Sequence, residues 1–129
     1  MKRNYYIAGF CLGLIGVVLG AFATHGLKPN LSPQAMDTFE TGVRYQIYHA
    51  LLILVLANMK SLQNKSARIL LYMILAGVLL FSGSIYLLAT NSITGPDFSI
   101  LGPVTPLGGS LLIFCWGFLI LHSIKLKNK

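Results

Sequence analysis

Acidic side chains are almost missing from this chain: Asp37, Glu40 and Asp97 are all it has in 129 residues. Charge of either sign is scarce, at 10% of residues against 55% hydrophobic, and mean hydropathy is +0.72. A soluble domain of this length is excluded, since such domains carry about 25% charged residues. The net charge of +7 reflects missing acid as much as Lys and Arg. It needs no nucleic acid to explain it, because the basic residues flank long apolar runs, where membrane proteins use them to set orientation and to meet anionic headgroups. Membrane lipid is the expected partner, and no nucleic acid is. Cysteine is scarce too: Cys11 and Cys115 both lie inside apolar segments, where a thiol behaves as a small hydrophobe. With no CxxC and no Cys/His zinc spacing, neither a disulfide nor a metal or other cofactor is expected.

Four apolar stretches, Tyr5 to Thr24, Val43 to Met59, Ala67 to Thr90 and Thr105 to Ile124, each approach the ~20 residues that cross a ~30 Å hydrocarbon core. The first has features of a signal peptide, with Lys2-Arg3 before it and Ala21-Phe22-Ala23 near its end. It is longer than the ~7–15 residues of a signal h-region, so it reads as a retained span. Two Lys/Arg precede span 1, three (Lys60, Lys65, Arg68) separate spans 2 and 3, and three (Lys125, Lys127, Lys129) follow span 4. These flanks belong on the cytoplasmic side, which puts both termini inside. The first external loop holds Lys28 and Asp37, and the second holds Asp97.

Within the first external loop, Ser32-Pro33 has the form of an N-cap followed by proline at the first helical position. A helix counted from Pro33 to Met59 would be about 40 Å long. Its first two turns then lie at the outer surface, with Gly42 as a place to bend. The stretch Asn91 to Pro103 contains Gly95-Pro96 and Gly102-Pro103 and cannot be one continuous helix. The fold class is therefore all-α, an integral membrane bundle of four helices in one domain, with helix 2 starting in the first external loop.

In span 1, Gly9, Gly13, Gly16 and Gly20 fall within about 60° of one another at 100° per residue. In lipid, helices associate by close packing, and a glycine stripe lets a neighbouring backbone approach. The sequence does not say whether that neighbour is another helix of this chain, a second copy or another membrane protein. Polar residues gather elsewhere. Glu40, Arg44, Tyr45, Gln46, Tyr48 and His49 occur within ten residues at the external end of span 2, and Glu40 and Arg44 have the spacing and order of a favourable i,i+4 pair. On the same topology His25, Ser82, Ser84, Tyr86 and Thr105 also fall in the outer half, whereas the inner half is nearly all aliphatic. His49 sits on the order of 10 Å below the outer interface.

Such a cluster has three readings. Its members can be interhelical hydrogen-bond glue, worth about 0.6 kcal/mol per contact. They can instead line an outer-leaflet pocket that binds or moves a lipid, a small hydrophobic molecule or protons, with His25, Glu40, Arg44 and His49 as contacts. Catalysis is the least supported: the serines and histidines lie near no nucleophile-elbow motif, and Glu40 is expected to be occupied by Arg44. A haem held by His25 and His49 would need facing histidines deeper in the membrane. His122 is read as interfacial. The leading reading is a non-enzymatic scaffold or accessory protein.

Several blocks resemble a known family: GAFATHGL at Gly20 to Leu27, FETGVRYQIYHAL at Phe39 to Leu51, LFSGSIYLLA at Leu80 to Ala89, and TPLGG at Thr105 to Gly109 followed by Trp116-Gly117. In this order, across nearly the whole chain, they resemble the small bacterial membrane proteins grouped as domain of unknown function number 423, whose eukaryotic relatives include transmembrane protein 256. Family members tend to read GAFGAHGL where this chain has Ala23-Thr24, which adds a hydroxyl beside His25. The resemblance implies a four-helix membrane bundle in the bacterial inner membrane, and it implies no established activity.

Overall fold

A computed structural model describes residues 2–62, 64–94 and 99–126. Gly95-Pro96, Asp97, Lys127 and Lys129 lie outside the described residues. The described residues are almost all helix or turn, with no strand among them. Helix α1, Lys2–Phe22, continues into a π turn at Ala23–Leu27 and a 3-10 turn at Lys28–Asn30. The π turn closes with the Lys28 amide donating to the Ala23 carbonyl. Pro29 supplies no donor to extend the helix, and Leu31 and Ser32 take extended backbone angles that swing the chain round.

Helix α2 runs from Pro33 to Ala57, with Pro33 in the first turn and the Ser32 hydroxyl accepting the Ala35 amide at 3.1 Å. This is the start that the Ser-Pro pair predicts. The helix is 25 residues, about 37 Å, long. It passes through Gly42 unbroken. Gly42 serves for close approach instead: a Cβ there would lie 2.7 Å from the Tyr86 ring and 3.0 Å from Ile85. At the other end Asn58 donates its side-chain amide to the Leu54 carbonyl, 3.0 Å, satisfying an acceptor the helix leaves open.

Helix α3, Asn64–Val78, passes through a second π turn, Leu79–Gly83, into α4, Ser84–Ala89. A short helix α5, Asn91–Thr94, and a 3-10 turn, Ser99–Leu101, precede α6, Val104–Ile124. Three helical runs, Lys2–Asn30, Lys65–Ala89 and Ser99–Ile124, are long and apolar enough to cross a membrane. Helix α2 falls short by composition, because Glu40, Arg44, Gln46 and His49 interrupt its apolar sequence.

The helices alternate in direction. Along α1, Gly9, Gly16 and Gly20 meet Leu54, Ile47 and Val43 of α2 in reverse order. Helix α6 runs back along α3, and α2 packs against α1, α3, the second π turn and α4. The Tyr5 hydroxyl donates to the Ala67 carbonyl, and His122 meets Ser61. The start of α1, the turn between α2 and α3, and the end of α6 therefore share one end of the bundle, here the proximal end. The glycine stripe is covered by α2 of the same chain.

Two apolar clusters fill the interior. The proximal one centres on Ile53, Leu56, Leu70, Ile74 and Cys115; the distal one holds Ala23, Leu27, Met36, Phe39 and Ala89. The outside is as apolar as the inside: Phe10, Leu14, Leu79, Ile113 and Ile124 are each at least 63% exposed. Apolar surface on this scale marks a face that meets lipid.

The tightest approach is between α6 and the second π turn. A Cβ on Gly108 would press on the Phe81 nitrogen and lie 2.7 Å from the Leu80 carbonyl carbon and 2.9 Å from the Gly77 oxygen. All three are backbone atoms and cannot rotate away. Gly108→Ala is therefore expected to destabilise the protein by roughly 1–3 kcal/mol, measured as unfolding in detergent. Gly117→Ala, where a Cβ meets nothing within 4 Å, is expected to be neutral.

Candidate functional site

Between the two apolar clusters lies a polar layer. Gln46, His49, Ser82 and Ser84 are the buried polar side chains among the described residues. In hydrocarbon no water can satisfy them, so each needs a partner within the bundle. Gln46 uses both ends of its amide. Its Nε2 donates to the Leu12 carbonyl of α1 at 2.9 Å, and its Oε1 accepts the Tyr86 hydroxyl of α4 at 2.6 Å. One side chain of α2 thus ties the helices on either side of it. Tyr86 is held from its other face by Phe39, with ring centroids 4.9 Å apart.

One turn away, the Ser82 hydroxyl donates to the Gly42 carbonyl at 2.8 Å, a contact open to it because Gly42 has no side chain to stand in the way. Ser84 lies within hydrogen-bond reach of the Leu80 and Phe81 carbonyls and of the Thr105 hydroxyl. A hydroxyl has a single proton, so Ser84 gives its own to a carbonyl and accepts that of Thr105. Ser84 thereby links the turn after the π bulge to the first turn of α6.

His49 is enclosed on both ring nitrogens. Nδ1 is 2.7 Å from the Tyr45 carbonyl, and Nε2 is 3.1 Å from the Trp116 indole nitrogen. A carbonyl only accepts and an indole N–H only donates, so these partners assign the neutral Nδ1–H tautomer. No buried side-chain nitrogen or oxygen among the described residues lacks a partner.

The remaining cluster residues stand outside this layer. Tyr45 and Tyr48 are exposed, the Tyr45 ring packing on Tyr48 at 5.6 Å and Phe81 at 5.2 Å. His25 is exposed in the first π turn, and with both His49 nitrogens engaged the two do not form a facing ligand pair. The expected Glu40–Arg44 ion pair is not formed. Arg44 instead donates to the Thr41 hydroxyl one turn back, 3.1 Å, and Glu40 lines a distal groove of about 270 Å³ with Thr24 and Lys28. Both side chains are exposed, where an ion pair gains little over separate solvation.

Two contacts were not anticipated. Trp116 is the partner of His49, a donor-only indole meeting an acceptor nitrogen 67 residues away in the chain. At the proximal end His122 Nε2 lies 3.0 Å from the exposed Ser61 hydroxyl, its ring stacked on Phe118. No carboxylate orients this imidazole among the described residues, and the contact ties the turn after α2 to α6. No group of three or more His, Cys, Asp or Glu able to hold a metal occurs among the described residues.

The Gln46–Tyr86 bond gives a direct prediction. In a double-mutant cycle of Gln46→Leu and Tyr86→Phe, followed by reversible unfolding in detergent, the coupling energy is expected at about 0.6–1.7 kcal/mol. Additive losses would show that the bond contributes nothing.

The comparisons with known proteins agree with this picture. A family model described as "Protein of unknown function (DUF423)" matches residues 19–109, which includes the whole of α2 and the four buried polar side chains Gln46, His49, Ser82 and Ser84 but not Trp116. The chain is 37% identical over 128 residues to a UPF0382 membrane protein of Haemophilus influenzae, covering 99% of each. It is 35% identical to the UPF0382 membrane protein YwdK of Bacillus subtilis, covering 95% of this chain and 98% of that one. It is 36% identical to the UPF0382 inner membrane protein YgdD of Escherichia coli, covering 91% and 86%. No solved structure matches. A lipid-facing helical exterior, the order of the sequence blocks and these full-length likenesses lead to one conclusion: the chain belongs to the DUF423 family of membrane proteins of unknown function.

Proposed function

We propose that this protein crosses the bacterial inner membrane four times with both termini in the cytoplasm, and that it acts without catalysis, as a scaffold or accessory subunit. The observation behind the non-catalytic role is the closure of the polar layer. Among the described residues each buried side-chain nitrogen and oxygen is engaged by another group of the chain, which is how interhelical glue behaves. Ser82 and Ser84 direct their protons to backbone carbonyls, and His49 activates neither. The outer-pocket reading is weaker on the same grounds, since of His25, Glu40, Arg44 and His49 only Glu40 lines the distal groove.

The fourth crossing is α2. Its length suits a bilayer, and it lies packed among the three apolar runs. Its low hydropathy comes in part from Gln46 and His49, which are hidden in the interior, while Leu51 and Val55 face outward. Lys and Arg at the proximal end favour the cytoplasm there.

Single cysteines at four turns test the topology. In intact cells, a membrane-impermeant maleimide is expected to label Asn30→Cys and Ile93→Cys, and to reach Lys60→Cys and Lys125→Cys only after the membrane is opened. Labelling of Lys60→Cys in intact cells, or none of Asn30→Cys, would contradict the arrangement.

A further inference from the structure

Helices α1 and α3 both lean on α2 but touch each other little. The gap between them at the proximal end is a groove of about 290 Å³. Its mouth carries Asn4 and Arg68, with Tyr72 one turn deeper, and its walls are Ile7, Leu71 and Leu75. From Arg68 to Leu75 it runs about 10 Å along the helix axis. The Arg68 side chain is exposed and takes no hydrogen bond or ion pair from the described residues.

The charge around this mouth is of one sign. Lys2, Arg3 and Lys65 are exposed beside it, and the acidic residues that the structure describes, Asp37 and Glu40, lie at the distal end. A zwitterionic headgroup would bring an ammonium up to these cations with no carboxylate among the described residues there to receive it. A headgroup of net negative charge meets only attraction. A guanidinium can take two phosphate oxygens at once, and an amide and a phenol add neutral donors. Basic pockets between membrane helices on the cytoplasmic side are a recognised form of anionic lipid site.

We propose that this groove binds one anionic phospholipid, its phosphate held by Arg68 with Asn4 and Tyr72 and its acyl chain laid along Ile7, Leu71 and Leu75. That the lipid comes from the inner leaflet rests on the orientation proposed above. Binding itself does not depend on orientation, so the two ideas fail separately.

Native mass spectrometry of the purified full chain, released from detergent containing equal phosphatidylglycerol and phosphatidylcholine, tests the site. The wild type is expected to retain one phosphatidylglycerol in preference to phosphatidylcholine. Loss of a charge-assisted contact predicts a fall in retention of about tenfold or more for Arg68→Gln. Ile7→Trp, which fills the groove and leaves every charge in place, is expected to lower retention as well and guards against misfolding of the first variant. Lys125→Gln, outside the groove, is expected to retain the lipid. Retention unchanged in Arg68→Gln or in Ile7→Trp, or an equal loss in Lys125→Gln, would overturn the proposal. So would displacement by soluble glycerol phosphate, which would mean that the acyl chain plays no part.

Discussion

A glutamine buried in hydrocarbon has no water to turn to, and the whole distal half of this bundle is arranged around giving Gln46 its partners. Its amide nitrogen takes a carbonyl of α1 and its amide oxygen takes a hydroxyl of α4. These bonds set where along α2 each neighbour must stop. Once α4 is placed, Ser82 falls opposite the Gly42 carbonyl, and the second π turn brings Ser84 to Thr105 of α6. His49 completes the layer by accepting from Trp116. The apolar clusters on either side supply contact area, but apolar surface in lipid has little preference for one partner over another. The polar layer supplies the register.

Glycine supplies the distances. The stripe on α1 brings it against Ile47 and Leu54, close enough for the side chain of Gln46 to span to a backbone carbonyl. Gly108 does the same for α6 against the second π turn, backbone to backbone. A π turn widens the helix and shifts every later side chain round the axis. Here that shift separates α3, which faces the proximal core, from α4, whose Ile85 and Tyr86 face Gly42. The two devices depend on each other, since a wide turn needs a facing helix without side chains.

Much of this was legible in the sequence and some was not, for physical reasons. Helicity, the Ser32 cap and the Pro33 start follow from local chemistry and appear as expected. The clustering of Gln46, Ser82, Ser84, Tyr86 and Thr105 at one level followed from counting residues along each span. What counting could not supply was rotation about the helix axis. Arg44 lies two residues from Gln46 and faces outward, and His25 is exposed in the first π turn, several turns distal to His49. The Glu40–Arg44 spacing permitted a pair that an exposed setting does not reward. Trp116 was hidden because its partner is 67 residues distant, and no local pattern records such a contact.

If the polar layer is a closed set of internal bonds rather than the lining of a wet or ligand-filled site, His49 must be dry and held in one tautomer. Solid-state nitrogen NMR of the labelled imidazole in lipid bilayers, with magnetisation transfer from water, reports both tautomer and hydration. One neutral Nδ1–H ring with no transfer from water is expected. An imidazolium, an Nε2–H ring or a ring in contact with water would contradict it.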